Sequence, residues 1–481
     1  MTPRNARAPV WVGVDVGTSA LKILALHSDG AVAGSVEKPL PVHRPLDDRA
    51  EADPQDWLDE VRTGLDAVLA ERGKGAPAGI GVTGQMHGTV LVDGMGAPVG
   101  PAVLWPDGRA ADQEPRWAAL PPPVQARLGS PFSPGMTGPV LGWLGQHEAD
   151  TLVAAERVWL PKDWVRRGLT GESVPDTVTD PSDASATLLW DVPAGAWSPD
   201  ALALTGAART LTPAVVPSDT VVGRWAGPAD GEAPVVAGAG DTPASLYALE
   251  HSIGGWRPGD VVINLGTGAQ VIAPASPPPD PAGGLPQHHV WADAGGGHYA
   301  MVAVQNAGLA LDWARAELGL SWPELVAAAQ RASTAGDGIV FAPFVAGERG
   351  RLAPREWLRG PRWLGRSGRA RVEERARAAI DAQVFLVRRA YELLGADARR
   401  VLLVGGGGRD PVVRQLMADC VGASVHWVQL GSAAATGAAL LAAHGTGAEL
   451  TPSATPVETA PSPSPAVDEA YLAWCAAVYG D

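Results

Sequence analysis

The sequence predicts an α/β protein built from two related halves, and three observations predict it. Apolar strand segments alternate with segments of helical periodicity along most of the 481 residues. One local pattern occurs twice, roughly 250 residues apart: apolar strand, polar residue, Gly-Thr turn, apolar strand. A chain this long also exceeds what one hydrophobic core organises, so two domains are expected.

Val10-Trp11-Val12-Gly13-Val14-Asp15 is rich in β-formers, Gly17-Thr18-Ser19 punctuates it, and residues 21–26 resume the apolar run. This is a hairpin with a glycine turn. Residues 51–71 read as a helix: Asp53 caps it, Pro54 suits its first turn, and Trp57, Leu58, Val61, Leu65, Val68 and Leu69 form one apolar stripe. A short strand at 80–83 runs into Gly84-Gln85-Met86-His87-Gly88, and another follows at 89–92. Near the middle, residues 234–241 read as a buried strand that ends in a glycine-rich turn at Asp241, with a helix after it. The second hairpin is Asp260-Val261-Val262-Ile263-Asn264, then Gly266-Thr267-Gly268, then Gln270-Val271-Ile272. A strand at 401–404 meets the glycine run 405–408, and 412–421 read as a helix. Residues 451–465, rich in Pro, Ser and Thr, read as a loop before a terminal helix at 467–478.

Phosphate groups need close backbone amides, and glycine lets the main chain approach them. Three glycine clusters at strand ends offer this: Gly17-Thr18-Ser19, Gly266-Thr267-Gly268 and Gly405-Gly406-Gly407-Gly408. None of the four lysines (Lys22, Lys38, Lys74, Lys162) precedes Ser or Thr, which excludes a Walker-type loop. The dinucleotide fingerprint fails as well, because Gly238-Ala239-Gly240 runs into Asp241, Thr242 and Pro243 without a third glycine. Asp15, at the end of its strand, is placed to hold Mg²⁺ or to cap the turn. Asp241 is placed to accept a proton from a substrate hydroxyl, or to cap the following helix, whose N-terminus is expected to lower its pKa.

The 37 basic and 52 acidic side chains give a charge of −15, which disfavours nucleic acid as a partner. The local Arg-rich stretch 362–377 reads as a solvated loop and helix face. Two cysteines, Cys420 and Cys475, lack His or Cys neighbours at ligand spacing and fit inert packing in a reducing cytoplasm. No signal peptide and no apolar run of membrane-spanning length is found, so no membrane partner is expected.

Several motifs together resemble the FGGY carbohydrate kinases. They are Val14-Asp15-Val16-Gly17-Thr18-Ser19 with Lys22, Gly84-Gln85-Met86-His87-Gly88, Leu104-Trp105-Pro106-Asp107-Gly108-Arg109, Leu160-Pro161-Lys162-Asp163-Trp164, and Gly240-Asp241. The similarity covers about residues 10–445, and the Gln-Met-His-Gly loop is closest to the xylulose-phosphorylating members. The resemblance implies two ribonuclease-H-like domains of the actin-like ATPase architecture, with sugar and ATP meeting in the cleft between them. It implies a sugar-binding domain at 1–252, a nucleotide-binding domain at 253–448, and a loop and terminal helix at 449–481. It also implies ATP and Mg²⁺ as cofactors, and phosphorylation of a ketose, D-xylulose before sedoheptulose or ribulose. Asp241 would be the catalytic base, with Met86, His87, Asp107, Arg109 and Thr242 around the sugar. Thr18, Ser19, Lys22, Gly266, Thr267, Gly308, Asp312, Gly406 and Gly407 would contact the nucleotide, and Asp15 the metal. Oligomeric state is left open, a homodimer included.

The family pattern is broken in places. Thr242 stands where the xylulose-phosphorylating members carry Asn, Gly350-Arg351-Leu352 follows Gly347-Glu348-Arg349 in place of Thr-Pro-His, and Val140 replaces a lysine. These departures bear on the sugar rather than on the reaction. A non-catalytic sugar sensor on the same fold is the competing class. An NAD-dependent oxidoreductase fails on the glycine pattern.

Overall fold

The computed structural model describes residues 8–70, 75–173, 176–206, 211–227, 231–333, 338–348, 350–358, 360–365, 368, 370–462 and 464–480. Residues 1–7, on which the absence of a leader was read, Arg349, and residues 366, 367 and 369 of the Arg-rich stretch lie outside these.

The first half of the chain forms one sheet. Its strands are β1 (Trp11–Val16), β2 (Ala20–Leu26), β3 (Val32–Pro39), β4 (Gly79–Gly84), β5 (Val221–Ala226), β6 (Glu232–Val236) and β7 (Ala239–Gly240). They lie in the order β5-β6-β4-β1-β2-β3, with β7 also paired to β4. The second sheet holds β8 (Asp260–Leu265), β9 (Ala269–Ala273), β10 (His289–Ala292), β11 (His298–Val304), β12 (Arg400–Val404), β13 (Ser424–Trp427) and β14 (Val457–Thr459), in the order β10-β11-β9-β8-β12-β13-β14.

The repeat seen in sequence is a repeat of topology. In each sheet an antiparallel meander (β1-β2-β3 and β8-β9-β11) is extended by parallel pairing of its first strand, to β4 and to β12. Parallel strands need crossover connections and are buried on both faces, which accounts for the near-continuous apolar runs of β1, β4, β8 and β12. This is the two-domain actin-like ATPase fold of mixed α/β class.

Helices α1 (Pro54–Ala70), α2 (Pro161–Thr170), α3 (Pro181–Ser185) and α4 (Asp241–Ile253) accompany the first sheet. Helices α5 (Val372–Leu394), α6 (Ala433–Gly445) and α7 (Pro465–Val478) follow in the second half. The helix read at 51–71 starts three residues later, because Glu51–Ala52 is a short strand and Asp53 Oδ1 accepts from Gln55 N at 2.9 Å. The strand read across 234–241 is broken at Gly238, whose φ of 79° turns the chain beside Val82. Residues 451–465 are not all loop: β14 adds to the edge of the second sheet, with Val457 opposite Trp427 and Thr459 opposite Val425. Composition hid this strand because its three residues sit between prolines.

The Arg-rich stretch is solvated in part: Arg362 and Arg371 are exposed, while Arg375 and Arg377 are half-buried. Arg377 donates to Asp381 at 2.7 Å, Arg371 to Glu374 at 2.8 Å, and Arg375 lies over the Trp363 ring. The two ion pairs span four and three residues at the start of α5, where opposite charges at such spacings attract. Both cysteines are buried and free, as their surroundings suggested. No helix among the described residues is long and apolar enough to cross a membrane.

Candidate active site

The ends of β1, β7, β8 and β12 converge on a cavity of about 400 Å³. Asp15, Lys22, Asp241 and Thr242 line it from the first sheet, and Asn264, Gln270 and Gly405 from the second. Ligands of open α/β sheets bind at such strand ends, where backbone groups are not yet paired. The floor is completed by Ser432, Ala433 and Ala434 at the start of α6.

Asp15 and Asp241 come from strands far apart in sequence, and no spacing rule joins them. The Asp15 carboxyl has its Oδ1 buried without a hydrogen-bond partner. Burial first, and then the negative charge of Asp241, push its pKa up to about 7, against a smaller lowering by Lys22. Asp241 is the first residue of α4, with Gly240 in the capping position. Its Oδ1 accepts from Thr242 N at 2.7 Å. The helix start was expected to lower its pKa. Burial outweighs that effect and the Thr242 hydrogen bonds, and the pKa rises to about 6. A carboxylate held near neutrality is better matched to taking a proton from a hydroxyl than one at its ordinary value.

The residue pair also bears on the metal. No group of three or more His, Cys, Asp or Glu side chains that could hold an ion is found among the described residues. Mg²⁺ does not require one, since it keeps several waters and binds through one or two carboxylates plus substrate phosphates. The orphaned Oδ1 of Asp15 and the unrelieved charge between Asp15 and Asp241 fit such an ion.

Without a cation, Asp15 opposes folding. An acid whose folded pKa lies above its unfolded value loses stability as pH rises from about 4 through 7. A shift to about 7 corresponds to at most about 4 kcal/mol. Asp15→Asn is therefore expected to raise the Tm of the ligand-free protein at pH 8, with little change at pH 4, while lowering turnover. Thermal melts at the two pH values measure this, and an equal change at both would contradict it.

The Gln-Met-His-Gly loop belongs to a wall shared by both halves. His87 adopts φ 70°, a left-handed conformation rare outside glycine and retained chiefly at functional sites. Its Nδ1 donates to the Ala186 carbonyl at 2.6 Å. The ring lies 5.2 Å from that of Trp291, which is 6.0 Å from Tyr299. The Tyr299 hydroxyl points to Met86 Sδ at 3.9 Å. Thr18 Oγ1 donates to Gln85 at 3.3 Å and accepts from Trp105 Nε1 at 2.8 Å, which ties the first hairpin turn to the Gln-Met-His-Gly loop. Ser19 at the same turn is exposed, and its carbonyl accepts from Leu40 N.

Asp107 and Arg109 stand apart from this wall. Asp107 is buried with both oxygens committed, to Ala50 N at 2.7 Å and to Arg109 Nε at 2.8 Å. Arg109 also pairs with Glu51 and lies over Trp143. They hold their loop against its neighbours, and Arg109 lines a separate cavity with Arg49, Glu51 and Thr89.

On the second sheet, the turn Gly266-Thr267-Gly268 is closed by Gly266 N donating to Gly268 O. The helix Gly308–Leu318 docks directly on it, Gly308 N donating to Gly266 O at 3.0 Å and Leu309 N to Thr267 O at 2.9 Å. A Cβ on residue 308 would sit 2.5 Å from that carbonyl oxygen, so only glycine fits. Gly405, Gly406 and Gly407 cross the end of β8, and a Cβ at Gly407 would strike Leu265. Asp312 lies on the exposed side of its helix, paired with Arg315 at 3.1 Å. Sequence reasoning gave no role to Tyr299, Trp291, Asn264 or Ser432. They carry no motif, and only the meeting of the two sheets brings them to the cleft.

Two sheets of repeated topology, with Asp15 and Asp241 on a cavity at their strand ends, define a protein of the actin-like ATPase class. The comparisons make the family explicit. Residues 10–248 match the N-terminal domain, and residues 261–446 the C-terminal domain, of the FGGY family of carbohydrate kinases. The chain belongs to this family and is an ATP-dependent carbohydrate kinase. It is 30% identical over 453 residues to the xylulose kinase of Escherichia coli strain K12, covering 90% of this chain and 89% of the other. It is also 30% identical to the glycerol kinase of Gloeobacter violaceus, covering 91% and 88%. A crystal structure described as a xyloylose kinase from Brucella ovis superposes with TM-score 0.85 at 27% identity, covering 97% and 98%.

Proposed function

We propose that the enzyme transfers the γ-phosphoryl group of ATP to a terminal hydroxyl of a ketose, D-xylulose first, giving D-xylulose 5-phosphate. The observation that carries this reading is the pair Asp15 and Asp241 on one cavity, which Asn264, Gln270 and Gly405 line from the second half. Asp241 takes the proton of the attacking hydroxyl, and Met86, His87 and Thr242 orient the sugar. Asp107 and Arg109 act on the sugar pocket indirectly, by fixing their loop. Thr18, Ser19 and Lys22 face the γ-phosphate. Gly266, Thr267, Gly308, Gly406, Gly407 and Asp312 contact the rest of the nucleotide. Asp15 would hold Mg²⁺, which when bound with ATP supplies charge neutralisation at the phosphate oxygens. Positioning and electrostatics, without a covalent intermediate, suffice for this chemistry. Two free, buried thiols support a cytoplasmic setting.

The strained His87 and the names of the curated relatives support a ketose. The glycerol kinase relative keeps smaller polyols in the test. ADP release measured with ATP, with and without Mg²⁺, against D-xylulose, ribulose, sedoheptulose and glycerol discriminates the readings. The expected result is Mg²⁺-dependent, sugar-stimulated turnover with the highest kcat/KM for D-xylulose. Sugar binding without stimulated turnover would establish a sensor, and a preference for glycerol would overturn the ketose assignment.

A further inference from the structure

Beneath the backbone that carries Asp241 lies a buried charged cluster with no part in the chemistry described so far. Lys162 of α2 is fully buried, with Nζ 2.7 Å from Asp163, 3.1 Å from Asp180 and 3.3 Å from Asp183. Asp180 is the hub of the cluster. Its Oδ1 faces Lys162, and its Oδ2 accepts from Ser182 Oγ at 2.6 Å and Ser218 Oγ at 2.8 Å. Ser182 Oγ in turn accepts from the Gly240 amide at 3.0 Å. The Ser218 carbonyl accepts from Gly238 N at 2.8 Å. Arg166, bonded to Asp163, donates to the Ala237 carbonyl at 2.9 Å. The peptide groups leading into Asp241 thus end on this cluster, at Ala237, Gly238 and Gly240.

Burying a lysine among three aspartates is poor economy for stability, since apolar side chains of similar volume do as well or better. What a hydrogen-bonded charge network supplies is a single fixed geometry. The contact at residue 240 is also close. A Cβ there would lie 2.7 Å from Met86 Cγ and 3.3 Å from Asp183 Oδ1, so the segment has little room to shift.

We propose that Lys162 is a positioning residue for Asp241, acting through Asp180 and Ser182 on the Gly240 amide. The proposal rests on the reading of Asp241 as the base. A base must stay within hydrogen-bond reach of the hydroxyl it deprotonates, and small displacements cost much of its effect.

Lys162→Met leaves Asp180 and Asp183 without their cation and risks unfolding, so Ser182→Ala is the decisive variant. It removes only the hydroxyl between Asp180 and Gly240. In the otherwise unchanged chain it is expected to lower kcat for sugar phosphorylation about 10- to 100-fold, with KM for ATP unchanged. In an Asp241→Asn background it should lower the residual kcat no further, because its route of action is already gone. The same fold-loss in both backgrounds, or no loss in the first, overturns the relay. If Asp241→Asn alone keeps near-normal turnover, the base assignment itself has failed, which is a separate and recognisable outcome.

Discussion

Asp241→Asn is expected to lower kcat by roughly 10²–10⁴-fold while leaving the fold and the KM for ATP nearly unchanged. The substitution keeps the shape of the side chain and its acceptor oxygen toward Thr242 N. It removes the capacity to take a proton. In the unsubstituted enzyme, activity requires the ionised form, and burial places that ionisation near pH 6. The Asp241 limb should therefore be complete above about pH 7 and fall as pH drops through 6. A carboxylate at the ordinary value of 3.8 would hold activity two units lower. Asp15 and the Tyr299 hydroxyl both feel the Asp241 charge, and the ionisation of Asp15 near 7 adds a second limb, so turnover is full only above about pH 8. The residual turnover of Asp241→Asn should lose the limb that belongs to residue 241. Near-normal turnover in this variant would remove the residue from its role.

Gly437→Val should be among the most damaging substitutions outside the chemistry. Helix α6 packs on the first sheet and on α4 with almost no side-chain spacing. A Cβ at Gly437 would fall inside the shell of the Ala244 carbonyl, and one at Gly13 or Gly81 would strike the Ala435 or Ala438 carbonyl of α6. These neighbours are backbone atoms, which cannot rotate away. Overpacking of side chains typically costs 1–3 kcal/mol, and a backbone collision belongs in the tail above about 4. Loss of soluble protein, or a Tm drop of about 10 °C, is expected. Gly100→Ala, where an added Cβ meets nothing within 4 Å, serves as the control. Because α6 also presents Ser432, Ala433 and Ala434 to the cavity, a surviving Gly437→Val protein should show a raised KM for ATP. A melt indistinguishable from that of the control would mean the helix is free to move off the sheet.

The fold was largely legible because its signals are local. Apolar runs bounded by Gly-Thr turns announced the β1-β2 and β8-β9 hairpins, and their repetition announced the duplication. Helix α1 was readable from its stripe of Trp57, Leu58, Val61, Leu65 and Val68, all of which are buried. Strand β14 and helix α6 were not readable. Val457-Glu458-Thr459 becomes a strand only because β13 offers it an unpaired edge. The alanine-rich α6 has no amphipathic stripe, since it is buried almost all round.

The site divided along the same line. By itself the sequence determined the family and singled out Asp15, His87 and Asp241 as candidates, because residue types and short spacings carry that information. Only the tertiary structure decided that Asp107 and Arg109 brace a loop, that Trp291 and Tyr299 reach His87 and Met86 from the other sheet, and that Lys162 sits under Gly240. It also reversed the sign of the Asp241 pKa shift. The helix start that lowers a pKa is a local feature visible in the chain. The burial that raises it is a sum over neighbours from both sheets, which exists only after the two halves have closed on each other.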